Sequence, residues 1–201
     1  MQALLRAKAN TELLDIKYGD TALQWAESNG HTAIAQLIRR HNAPPQPADP
    51  PDAGEPADSS RASLPVEILE SAARGKLQTV VKWLRKGGLA DALCASQTAD
   101  GRPITTTLLL TAAANGHLEM VRELLKRGAG VDLPTSLGHT ALMSAAFHGH
   151  LSILLLLLLH SANLDLQDTY GFTALMAAAG EGHEACVKAL LRAKANTELL
   201  N

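Results

Sequence analysis

Histidine is the residue type whose spacing first suggests chemistry in this sequence. His148 and His150 lie two residues apart and His139 precedes them, so the three imidazoles could be imagined around a zinc ion. No cysteine or acidic residue accompanies them at ligand spacing. The sequence therefore predicts no metal site at these histidines, and no pattern in it indicates a cofactor.

The two cysteines offer little more. Cys94 lies in a loop where it could be exposed, but no base lies beside it to activate a nucleophilic thiol. We find no glycine-rich nucleotide loop, no catalytic triad and no pair of carboxylates suited to acid–base chemistry. We therefore expect a protein that is not an enzyme.

Composition indicates which elements could position such residues. The chain has 201 residues and a net charge of -2, and Leu (35) and Ala (34) make up a third of it. Both are strong helix formers, which favours helices over a β-sandwich. The near-neutral charge argues against nucleic acid as a partner. The apolar run 151–159 is too short to span a membrane, and we find no signal peptide. We expect a location in the reducing cytoplasm, with the nucleus left open.

A repeat of 33 residues organises the chain. Gly-His pairs begin at 116, 149 and 182, and Thr107, Thr140 and Thr173 have the same spacing. Each Thr can cap the first turn of a short helix, and the Gly can end that helix with a positive φ. A second helix then follows. Units of this kind bury their apolar faces only by stacking on one another.

This pattern resembles the ankyrin repeat. Gly138-His139-Thr140-Ala141-Leu142-Met143 and Gly171-Phe172-Thr173-Ala174-Leu175-Met176 carry the resemblance, each followed by a Gly-His pair. It implies an all-α solenoid of stacked helix-turn-helix repeats with short β-hairpin loops. It also implies that a protein partner binds the hairpin tips and the concave face of the first helices. The family's Thr-Pro-Leu-His is Thr-Ala-Leu-Met here, so the hydrogen bonds of that His do not carry over.

The resemblance divides the chain into three parts. Residues 1–41 hold a partial helix and one repeat with the polar character of a C-terminal cap. Residues 42–63 hold six of the nine prolines with four acidic residues, which is typical of a disordered linker. Residues 64–201 form the repeat array. Its units are 64–94, 103–132, 136–165 and 169–198.

Residues 3–14 are identical to residues 189–200. This duplication favours a window cut from a longer tandem array, and a small protein with copied ends is the alternative. The linker could span roughly 60 Å if extended. Residues 1–41 could therefore dock on the C-terminal repeat, within the chain or in a second copy. The duplication counts against docking, because residues 3–14 would compete for the same place.

The interval from Gly75 to Gly116 is eight residues longer than the usual 33. The extra residues fall at 95–103 and include the turn pair Asp100-Gly101, which predicts a longer hairpin. Asp100 and Arg102 at its tip are candidate partner contacts. A tolerated insertion without function is the alternative.

Aromatic residues are the stronger candidates for partner contact, since large apolar groups suit binding hot spots. Trp25, Phe147 and His148 align with first-helix positions on the concave face. The other candidates flank the turn glycines at the hairpin tips: they are Tyr18, Tyr170 and Phe172.

Two further patterns have plainer explanations. The recurring histidines 31, 117, 150 and 183 follow the helix-ending glycines, so we expect them to bond nearby backbone groups. Leu155 and Leu159 stand where neighbouring repeats carry charged residues, which predicts an apolar patch on the convex side. The patch is either a second contact surface or a chance result of a Leu-rich helix without a function.

The sequence therefore predicts a non-catalytic module that binds a protein partner. The alternative is a regulatory or substrate-recruiting ankyrin part of a larger enzyme or channel, whose chemistry lies outside this chain. A pure spacer is the third possibility.

Overall fold

The fold was analysed in a computed structural model, which describes Leu14 and residues 20–41, 64–97 and 103–198. Within these ranges the chain is helical apart from one hairpin and the connecting turns. The helices are α1 (Ala22–Ser28), α2 (Thr32–His41), α3 (Val66–Ala73), α4 (Leu77–Arg85), α5 (Leu108–Ala114), α6 (Leu118–Lys126), α7 (Ala141–Phe147), α8 (Leu151–Leu159), α9 (Ala174–Gly180) and α10 (Glu184–Glu198).

Threonine caps start the first helices, as the repeat predicts. The Oγ1 atoms of Thr107, Thr140 and Thr173 accept hydrogen bonds from backbone amides three residues on, at 3.1, 3.3 and 3.3 Å. Thr21 caps α1 in the same way, at 3.3 Å. Each bond satisfies an amide that the helix itself leaves without a partner.

The units form an all-α solenoid, and the predicted fold class is confirmed. The first helices stack in the order α3, α5, α7, α9 and α1, and the second helices stack beside them in the order α4, α6, α8, α10 and α2. Small side chains allow this close stacking: Ala112, Ala145 and Ala178 are completely buried between first helices. Residues 20–41, which we call the N-terminal unit, therefore stand last in the stack although they come first in the chain.

The two strands on either side of the longer interval pair as the two arms of a hairpin, as predicted. Strands β1 (Leu93–Gln97) and β2 (Pro103–Thr107) pair antiparallel, with Leu93 opposite Thr107. Thr105 and Ser136 exchange backbone-to-hydroxyl hydrogen bonds of 3.0 and 3.1 Å, which tie the hairpin to the next repeat's turn. The proposed tip contacts Asp100 and Arg102 lie outside the described residues.

The expected exposure of Cys94 is wrong. Cys94 is the second residue of β1, where its side chain joins the hydrophobic core and is only 2 % exposed. Burial raises the pKa of this thiol, and it does the same for Cys186 on α10. Both thiols are therefore held in their neutral, unreactive form.

Candidate functional site

The recurring histidines join each unit to the one before it. Nε2 of His117, His150 and His183 donates to the carbonyl oxygen of Ala73, Ala114 and Phe147, respectively, over 2.8, 3.2 and 2.9 Å. Each of these carbonyls belongs to the last residue of the preceding unit's first helix. The expected structural role of these histidines is confirmed.

His31 makes the same bond across the two ends of the chain. Its Nε2 donates to the carbonyl oxygen of Gly180, the last residue of α9, over 3.0 Å. The imidazole also lies against Gly182, where an added Cβ would come within 2.8 Å of it. The N-terminal unit thus docks on the C-terminal repeat of its own chain, using the contact that joins consecutive repeats.

An aromatic contact strengthens this junction. The rings of Trp25 on α1 and Phe172 before α9 meet edge to face, with centroids 4.8 Å apart. Gly180 lies beside this junction, where a Cβ would meet the Trp25 ring at 3.8 Å, an ordinary van der Waals contact. At the position of Gly180 the preceding repeat has Phe147. Gly180 carries no such ring, and a concave space bordered by Trp25, Phe147 and Phe172 lies beside it.

That space is a concave pocket of about 470 Å³, which we call the aromatic pocket. Four of the sequence-predicted residues border it: Trp25, Phe147, His148 and Phe172. Met143 and Met176 form an apolar floor, and both are almost fully buried. Phe147 is 49 % exposed, so one wall of the pocket is open to an incoming group.

The polar rim of the aromatic pocket is held in place by hydrogen bonds. His148 Nδ1 donates to the Ser144 carbonyl oxygen over 2.9 Å, and this bond orients the ring beside Phe147. The Asp168 carboxylate lies 3.1 Å from His139 Nε2. The same carboxylate accepts the backbone amide of Phe172 at 2.9 Å, which fixes the approach to the pocket.

One acidic side chain at the rim is available to a ligand. Glu181 is exposed and makes no ion pair with any described residue, whereas the Asp168 carboxylate is occupied. Asn29 lies at the rim as well, with its amide donated to the Trp25 carbonyl oxygen. The pocket is therefore apolar inside with one uncompensated negative charge at its edge.

The other predicted site residues lie elsewhere. Tyr170 is half-buried in the turn before Phe172, with its backbone amide bonded to Asp168 Oδ1 over 2.8 Å, and it does not line the pocket. Tyr18 lies outside the described residues. Among the described residues, no group of three His, Cys, Asp or Glu side chains is placed to hold a metal ion.

Sequence reasoning missed the floor of the pocket. Met143 and Met176 recur in the repeat motif, where they indicate scaffold rather than a binding site. The sequence does carry one signal at Gly180, because the preceding repeat has Phe147 at the equivalent position.

Comparison with known families identifies the repeats. The family model described as "Ankyrin repeats (3 copies)" matches residues 68–168 and 109–201, and that described as "Ankyrin repeat" matches residues 18–50. The chain belongs to the ankyrin-repeat family. Ankyrin repeats are generally protein-interaction modules and are typically not catalytic. None of the curated proteins compared with the chain matches it. No helix in the described ranges is long and apolar enough to cross a membrane.

Proposed function

We propose that this ankyrin-repeat protein binds a protein partner through the aromatic pocket and the concave face around it. The observation that carries the proposal is the meeting of Trp25, Phe147, His148 and Phe172 around one pocket with a methionine floor. Aromatic walls and adaptable thioethers suit a bulky apolar side chain of a partner segment, such as Leu, Met or Phe.

The charge at the rim specifies the partner further. Because Glu181 has no ion pair among the described residues, a Lys or Arg beside the apolar anchor would complement it. Such a cation would also lie near the faces of the aromatic rings, where cation–π attraction adds to binding. The expected partner segment therefore carries a bulky apolar residue with a basic neighbour.

The hairpin tips extend this surface in the proposal. Tyr170 lies in the turn that leads to the pocket, and the remaining candidates Tyr18, Asp100 and Arg102 stay predictions. We expect these tips to add contacts around the anchor, while the pocket supplies most of the binding free energy.

A peptide selection tests the proposal. Displayed random peptides are selected on the full chain, and the affinities of the enriched peptides are measured by calorimetry. Phe147→Ala removes an exposed wall without touching the Trp25–Phe172 contact, and we expect at least a tenfold loss of affinity. Trp83→Phe, a change outside the pocket, serves as the matched control and should bind as the parent does.

The outcome against the proposal is equally clear. Peptides that bind Phe147→Ala as tightly as the parent protein would place the binding surface elsewhere. Enriched peptides without a bulky apolar residue would contradict the anchor.

A further inference from the structure

Helix α8 carries apolar side chains on the outer surface of the solenoid. Leu155 and Leu159 are 45 % and 44 % exposed. At the equivalent positions α6 carries Arg122 and Lys126, and α10 carries Lys188 and Arg192. The two leucines thus expose apolar surface where the neighbouring repeats are charged, and this surface is separate from the aromatic pocket, which lies on the first helices.

Leu155 lines a groove between α8 and α10, which we call the outer groove, and Leu159 lies one turn farther along α8. The volume of the outer groove is about 370 Å³. Leu151 and Leu158 line it from α8, and Ala185 and Ala189 line it from α10. The small alanines of α10 leave this space open beside the leucines of α8.

Positive charges flank this apolar surface on both sides. On α10, Lys188 is paired with Glu184, whereas Arg192 is exposed and has no ion pair among the described residues. On α6, Lys126 is likewise exposed and has no partner of opposite charge in the part of the chain that the structure describes.

The acidic side chains that the structure describes on α6 and α10 pair with other cations. On α6, Glu119 pairs with Arg122 at 3.5 Å, and Glu123 pairs with Arg127 at 2.7 Å. Apolar surface between unpaired positive charges therefore remains.

Charge and shape together select the occupant. A second copy of the chain docked through the same surface would bring like charges together, which is unfavourable. A flat anionic membrane would meet the cations but would leave the recessed alanines uncovered. A helix laid along α8 and α10 fills the recess, since packed helices lie 8–10 Å apart and interlock their ridges and grooves.

We propose that the outer groove binds an amphipathic helix of a partner protein. Its apolar stripe, with residues three and four apart, covers Leu155 and Leu159 and enters the groove. Its Asp and Glu residues, on the flanks of the stripe, pair with Arg192 and Lys126. The proposal concerns a different surface from the proposed function and does not depend on it.

Binding of designed peptides tests this inference. The probe is a fluorescein-labelled helical peptide with Leu at positions three and four apart, Glu on both flanks and Ala elsewhere. Its counterpart has Lys in place of each Glu. With the full chain at physiological salt, fluorescence anisotropy should show saturable binding of the Glu peptide and at least tenfold weaker binding of the Lys peptide. Equal binding of both peptides, or binding of neither, would overturn the proposal.

A double variant separates the groove from simple charge attraction. Leu155→Arg with Leu159→Lys gives α8 the residue types that α6 already carries at these positions, so the fold should be retained, as circular dichroism will check. The variant is more positive, so attraction by charge alone predicts tighter binding of the Glu peptide. Binding in the outer groove predicts at least tenfold weaker binding. Tighter binding would refute the proposal.

Two further controls define the surface. Arg192→Glu should lower the affinity of the chain for the Glu peptide, while Phe147→Ala in the aromatic pocket should leave that affinity unchanged. Vesicles of phosphatidylglycerol and phosphatidylcholine form the last arm. If the chain sediments with these vesicles through Leu155 and Leu159 and does not bind the Glu peptide, the surface is a membrane contact and the proposal is wrong.

Discussion

His31→Ala tests the docking of the N-terminal unit on the C-terminal repeat. The change removes the 3.0 Å hydrogen bond to the Gly180 carbonyl oxygen and the packing of the imidazole against Gly182. A hydrogen bond of this kind contributes about 1 kcal/mol, and the lost packing of a half-buried ring contributes about as much again. The docking equilibrium should therefore weaken about 30-fold.

Tryptophan fluorescence measures this effect. The chain has two tryptophans, so a Trp83→Phe background leaves Trp25 as the only emitter. Trp25 lies against Phe172 in the docked unit and becomes solvated on release. In urea, we expect His31→Ala to lower the midpoint of the Trp25 transition and to separate it from the loss of helical ellipticity.

His117→Ala is the matched control, because it removes the equivalent bond to the Ala73 carbonyl oxygen, of 2.8 Å, at the opposite end of the stack. It should destabilise the array without releasing Trp25 first. If His31→Ala leaves the Trp25 transition in place, or if the two variants shift it equally, the docking described above is refuted.

Three further predictions concern the fold. Gly149→Ala places a Cβ 2.6 Å from His183 Nδ1 at a φ of +69°, so it should lower the free energy of unfolding, measured by urea titration, by about 3 kcal/mol. The control Gly128→Ala, at a φ of +80° with open space around it, should lower it by only about 1 kcal/mol. Cys94 and Cys186, whose pKa values burial raises, should react with a disulfide reagent at about pH 8 far more slowly in the native protein than in denaturant, and rapid native labelling would contradict their burial. Desolvation raises the pKa of Asp132, and the Asn163 backbone amide only partly opposes this, so the folded state favours the protonated carboxyl. The free energy of unfolding should therefore increase as the pH falls through this raised pKa. Asp132→Asn should abolish that increase, and an unchanged pH profile in the variant would contradict the prediction.

The period of 33 residues predicted most of the scaffold. It located the caps Thr107, Thr140 and Thr173 and the inter-repeat histidines, because these roles depend on local turn geometry that repeats with the sequence. The pairing of β1 with β2 followed from the turn pair in the long interval.

Docking of the N-terminal unit could not be settled in this way. Residues 3–14 and 189–200 have identical sequences, so either segment could precede the N-terminal unit in the stack. The structure resolves the choice through His31 and Gly180, which come together only in the folded chain.

The aromatic pocket was partly predictable. Alignment on the repeat placed Trp25 and Phe147 on the concave face, but it placed Phe172 at a hairpin tip. In the structure Phe172 also packs on Trp25, because the N-terminal unit stacks on the C-terminal repeat although the two are distant in sequence. Cys94 was misjudged for a related reason, since pairing of β1 with β2 turns a loop position into a core position.

The most direct test of the central claim is a titration of the Trp83→Phe protein with a selected partner peptide, followed through Trp25 emission. If the aromatic pocket is the binding site, the emission of Trp25 changes with the same dissociation constant that calorimetry gives. Binding in the calorimeter with no change in Trp25 emission would contradict the claim.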